Sequence, residues 1–165
     1  MKLKFAVRLL VVVLCAGCLS ITAFAHHSTA EMYDLAKPDT LRGRITGLVW
    51  VNPHVAILLD VRNSKGAIET WAIELGAPNK LLHSGWKMSD LAAGSEITVT
   101  AFHLKSGGNP GTTWTVPKDY RSSPMMDLYK KVAELNAQGR IAHGSDITLA
   151  SGKKLTYTDI WVRPR

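Results

Sequence analysis

Four runs of alternating apolar and polar residues constrain this chain more than any other feature. They are LRGRITGLVWV (41–51), HVAILLDVR (54–62), AIETWAIEL (67–75) and EITVTAFHL (96–104). A period of two puts successive side chains on opposite faces of a strand, so each run predicts one buried face. Leu41, Ile45, Val49 and Val51 share a phase in the first run. Val55, Ile57, Leu59 and Val61 share one in the second, Trp71, Ile73 and Leu75 in the third, and Ile97, Val99 and Ala101 in the fourth. Gly43 and Gly47 inside the first run point to a sharply coiled strand, as in a small barrel. DITLAS (146–151) and KLTYTDIWV (154–162), joined at Gly152, read as a closing hairpin or a last strand.

A helical period is clear in SSPMMDLYKKVAELNAQG (122–139). Ser123 can cap it, Pro124 suits its first turn and Gly139 its stop. Met125, Leu128, Tyr129, Val132 and Leu135 make one apolar stripe, which should pack on the strands. PNKLLHSG (78–85) is a shorter helical piece, and the polar, aperiodic HHSTAEMYDLAKPDT (26–40) reads as an arm. The expected fold is therefore mainly β: a small OB-like Greek-key barrel of about five strands with one inserted α-helix. Residues 26–165 form one barrel domain in this reading, with the helical insertion at about 109–142.

The first 25 residues read as a signal peptide. Lys2, Lys4 and Arg8 precede a short apolar stretch, and Ala23 and Ala25 supply the small residues before a cut. The rival readings are a membrane anchor, for which the apolar core is short, and a lipoprotein signal at Cys18, where Cys15 stands in place of the usual Leu. Cleavage after Ala25 lowers the net charge from +7 to +4 and removes both cysteines, Cys15 and Cys18. The mature chain then relies on an ordinary core without disulfides, in the periplasm or outside the cell. No further apolar run could span a membrane. Export, the modest charge and the lack of interleaved basic and aromatic residues argue against nucleic acid as a partner.

Six histidines remain: His26, His27, His54, His83, His103 and His143. They show no usual zinc spacing, and no Gly-x-Ser-x-Gly elbow is present. The free end is more informative. An N-terminal His26 offers its α-amine and ring Nδ1 together, and one added imidazole gives three nitrogens in a plane, which suits copper(II). The added imidazole could be His27, His54, His103 or His143; the alternative is that His26-His27-Ser28 is a solvated tail. Asn52-Pro53-His54 breaks the first two strands, so His54 begins a strand at the expected barrel mouth. Trp50, Asn52, His54 and Glu74 are the candidate ligand-binding residues there; for His54 the alternative is a structural histidine bonded to a loop carbonyl. For Glu74, opposite in phase to Trp71, the alternative is a solvated strand carboxylate. His103 lies in phase with Val99 and Ala101 and reads as an inward residue near a strand end. Trp50, Trp71, Trp86, Trp114 and Trp161 could line a groove, though packing explains most of them.

His26-His27-Ser28, KPDTLRGRITGLVWVNPHVAILLDV, WAIELGAPNKLLHSGW, LAAGSEITVTAF and DITLASGKKL together resemble a secreted bacterial family, domain of unknown function 6152. The resemblance implies a small exported β-barrel domain with no established activity, and the helical insertion departs from the family's shorter pattern. The sequence thus predicts a non-enzymatic module that binds a small ligand or an envelope protein. The alternative is a copper-binding protein using His26 and a second histidine.

Overall fold

The computed structural model describes residues 29–105, Trp114 and residues 125–157. Its elements are α1 (Thr29–Met32), β1 (Tyr33–Trp50), β2 (Val55–Arg62), β3 (Ile68–Glu74), α2 (Pro78–His83), a 3₁₀ turn (Met88–Leu91), β4 (Glu96–Leu104), α3 (Met125–Ala137), β5 (Ile141–Leu149) and β6 (Lys154–Thr156). Hydrogen bonds join the strands in the order β3-β2-β1-β4-β5-β6. A parallel pairing of Ala72–Glu74 with Ile141–His143 then ties β3 to β5. Five strands close the ring and β6 hangs outside it on β5, so the fold is the small, mainly β barrel with a helix that the alternation predicts.

The alternation also says what fills the ring. Ile45, Ile57, Leu59, Ile73, Ile97, Val99, Ala142 and Ile147 are buried in one cluster with Leu75, Leu81, Trp86 and Leu91. The first run does not keep one phase, however. A bulge between Ile45 and Gly47 shifts the β1–β2 register. One extra residue reverses the faces of everything after it. Leu41 and Ile45 point into the barrel, while Val49 joins a second cluster outside it with Ala56, Leu58, Ala72, Tyr129, Val132, Leu135 and Ile141. That second cluster is where α3 docks, using three residues of its predicted stripe, with Met125 and Leu128 partly buried beside them. Ser123 and Pro124 lie outside the described residues.

Gly43 permits the close β1–β2 approach. A Cβ there would collide with the backbone carbonyl oxygen of Asp60 and sit 3.1 Å from Leu59 Cγ. Backbone cannot swing aside as a side-chain tip can, so Gly43→Ala should cost about 1–3 kcal/mol as overpacking. A urea melt would check this; an unchanged midpoint would mean that the two strands separate freely.

Two boundaries differ from the sequence reading. β1 begins at Tyr33, so most of the expected arm is strand, and Tyr33 is 1% exposed. The alternation is hidden there because Ala36 to Thr40 are exposed. β5 begins at Ile141, so the insertion stops before its expected end; Gly139, at φ 70°, makes the turn out of α3. Among the described residues, no helix is long and apolar enough to cross a membrane.

Candidate functional site

Glu74 ends β3 opposite Ala56 of β2 and beside His143 of β5. It shares the phase of Ala72, so its side chain leaves the barrel on the outer face, where α3 packs. It is nevertheless only 5% exposed. Three elements deliver donors to it. The Tyr33 hydroxyl donates to Oε2 at 2.9 Å. The Trp114 indole N–H donates to the same oxygen at 3.2 Å. His54 Nδ1 pairs with Oε1. The Trp114 ring lies 5.3 Å from that of Tyr129, so α3 helps to fix the indole over the carboxylate. His143 completes the cluster, 3% exposed, its ring 5.6 Å from Tyr33 and 6.5 Å from Phe102.

A carboxylate taken out of water tends to neutralise itself. Burial pushes the Glu74 carboxyl up, but the hydrogen bond and charge of His54, the charge of His143 and the Trp114 N–H outweigh it. Its pKa therefore falls below the ordinary glutamate value, and Glu74 is ionised at neutral pH. Tyr33 moves the other way. Burial, then the neighbouring Glu74 charge and hydrogen bond, hold its hydroxyl well above the usual tyrosine range, so it remains a donor.

An ionised carboxylate only accepts hydrogen bonds, so Nδ1 of His54 must carry a proton. In the neutral ring the lone pair is then on Nε2. The His54 side chain is 37% exposed against 6% for Glu74, so the pair has one dry and one wet end. A fixed imidazole of this kind can bind a metal, accept a hydrogen bond or take up a proton.

The structure brings His54 and Glu74 together at the end of the barrel where β2 starts and β3 stops. They sit on the outside of the ring, beside the helix that the insertion supplies. The solvated strand carboxylate considered as an alternative for Glu74 is overturned, because Tyr33, Trp114 and His54 enclose it. Trp50 belongs to the other side of the sheet, packed partly buried against the barrel interior. Asn52 is exposed in the bend before His54. His103 faces the opposite way, as its phase predicts, but it is 36% exposed rather than buried; its Nε2 is 2.9 Å from Asp39 Oδ2. The Trp71 ring lies edge-on to it at 5.0 Å. The His103 hydrogen bond holds Asp39 below the usual aspartate value. His26 and His27 lie outside the described residues. Among those described, no group of three or more His, Cys, Asp or Glu is arranged to hold a metal ion.

Sequence reasoning missed Tyr33 and His143 as members of the cluster, and treated Trp114 only as a groove or packing residue. Tyr33 was hidden in a stretch without alternation. His143 had a usable signal: Ile141 and His143 alternate with Ala142 and Gly144, which extends the last strands backwards by several residues.

No curated protein and no solved structure matches the chain. A model for a family of unknown function, DUF6152, matches residues 13–113. That span includes Tyr33, His54 and Glu74 and ends just before Trp114, so the half of the cluster carried by β1, β2 and β3 lies within it and Trp114 and His143 lie beyond it. By this match over more than half of its length, the chain belongs to the DUF6152 family of unknown function.

Proposed function

We propose that this protein is an exported, non-enzymatic binding module that recognises a small ligand through His54. The observation that carries the reading is the half-exposed imidazole backed by a buried, ionised carboxylate. Three separate parts of the chain, at Tyr33, His54 and Trp114, converge on that one carboxyl group. Such convergence holds a ring in one tautomer and one orientation, which is what selective recognition requires. The position agrees with the fold by analogy: OB-type barrels bind ligands on the outer β2–β3 face and its flanking loops. Export follows from the basic start, the short apolar stretch and the small residues at Ala23 and Ala25, with release into the periplasm or the medium.

A thermal-shift panel would test the reading, using the mature chain and its His54→Ala variant. The panel would hold carboxylic acids, amino acids, sugars, short peptides and transition-metal ions. A compound that raises the Tm of the parent but not of the variant places recognition at His54. Equal stabilisation of both proteins would move recognition elsewhere, and no shift at millimolar concentrations would remove the reading.

A further inference from the structure

The geometry points to a docking surface for an anionic lipid bilayer, formed by Leu82 and Met88 on the connection between β3 and β4 and by the lysines around them. It goes beyond the module reading and does not use His54.

The connection closes one end of the barrel. Pro78 opens α2, and the helix ends in a Schellman motif. The Trp86 N–H donates to the Leu81 carbonyl, the Gly85 N–H donates to the Leu82 carbonyl, and Gly85 stands at φ 81°. That motif turns Leu81 and Trp86 inward together, and both lie in the barrel-interior cluster with Leu91. The Trp86 indole N–H also donates to the Thr156 carbonyl of β6 at 3.0 Å. With Leu81, Trp86 and Leu91 committed to the interior, Leu82 and Met88 are left outside, 57% and 52% exposed. Single apolar side chains scattered over a surface are ordinary. Two on one braced connection, beside a third large apolar side chain as open only at Ile68 among the described residues, are a concentration.

The charge around them has one sign. Residues 77–91 carry Lys80, His83 and Lys87 against Asp90, and residues 150–156 of the β5–β6 turn add Lys153 and Lys154. All four lysines are exposed. Asp90 accepts from Lys153 Nζ at 2.8 Å and from the Lys87 backbone N–H at 3.1 Å. The ion pair ties the turn to the connection, so the lysines and the apolar tips share one end of the barrel. Four ammonium groups against one carboxylate leave a positive surround for two open apolar side chains. An acidic protein surface complements only the charge. A bilayer with anionic headgroups complements both parts: acyl chains take up Leu82 and Met88, and the lysines reach the phosphates while their stems lie along the boundary.

The test uses residues 26–165, which keep every described element, in co-sedimentation with two kinds of vesicle. One holds phosphatidylglycerol and phosphatidylcholine in equal parts, the other phosphatidylcholine alone. Binding should favour the anionic vesicles and fall steeply with added salt. Leu82→Ser combined with Met88→Ser should lose at least about 10-fold in partitioning. Lys87→Gln combined with Lys154→Gln should lose about 10–25-fold on the anionic vesicles, about fivefold for each lysine. Ile68→Ser should match the parent. These side chains are exposed, so urea midpoints should stay with the parent's and separate lost binding from lost fold. Leu82→Trp adds a readout that needs no loss: brominated anionic lipid should quench its fluorescence more than the parent's. A parent that ignores anionic vesicles, equal binding by the parent and both double variants, or no added quenching in Leu82→Trp would overturn the proposal. Self-association or acidic-peptide binding through Leu82 in place of vesicle binding would overturn it too, and would assign the surface to a protein.

Discussion

Replacing Glu74 with alanine should cost about 3–5 kcal/mol of folding stability, the range for breaking a buried, hydrogen-bonded charge pair by removing one partner. The loss has identifiable parts. The Tyr33 hydroxyl and the Trp114 indole N–H both donate to Oε2, and both would be left in a dry site without that acceptor. His54→Ala takes away the partner of Oε1 but leaves Oε2 its Tyr33 and Trp114 donors, so it should cost less, about 1–3 kcal/mol. The off-core phase of His54 by itself predicts a smaller loss still; its pairing with a buried carboxylate is what raises the expectation. The gap should depend on pH. The folded-state pKa of Glu74 lies below the ordinary value, so its contribution is present in full above about pH 4.5 and is lost as pH falls through the lower folded value. Urea melts of the parent and Glu74→Gln should therefore differ at pH 7 and converge in acid. A constant gap from pH 7 to pH 3 would mean that Glu74 acts by shape alone.

Truncating Ile57 to alanine should cost about 2–5 kcal/mol. Ile57 is fully buried, paired with Leu48 of β1 and Ile73 of β3 in the middle of the ring. The surrounding strands are tied on both sides and cannot collapse into the space left behind, so a cavity remains. Ile68→Ala is the matched control: the same atoms are removed from a side chain that is 54% exposed at the start of β3, and the change should stay within about 0.5 kcal/mol. Calorimetric or urea melts of the two variants would decide it. Similar losses for both would mean that the barrel interior is not the stabilising core.

The strands were legible because alternation is a local property. Ile57, Leu59, Ile73 and Val99 announce a buried face from their own neighbours, and Met125, Leu128 and Val132 do the same for a helix. Half of the candidate site was legible in the same way. His54 stood out beside Asn52-Pro53, and Glu74 stood out by its phase opposite Trp71.

The tertiary structure decided what no local pattern contains. The bulge after Ile45 moved Val49 to the outside of the barrel, because one extra residue in a ladder reverses every later side chain. Burial of Glu74 depended on Tyr33, 41 residues before it, and Trp114, 40 residues after it. A carboxylate on the outer face of a strand is ordinarily wet. Only the closing of the ring, the docking of α3 on the face that Glu74 shares, and the arrival of two distant donors make it dry, paired and ionised. The sequence by itself determined where most of the strands would lie and, for the runs without a bulge, which face each would turn to the barrel interior. Which polar residues would meet behind those faces was a matter of register and closure, set by contacts between residues far apart in the chain.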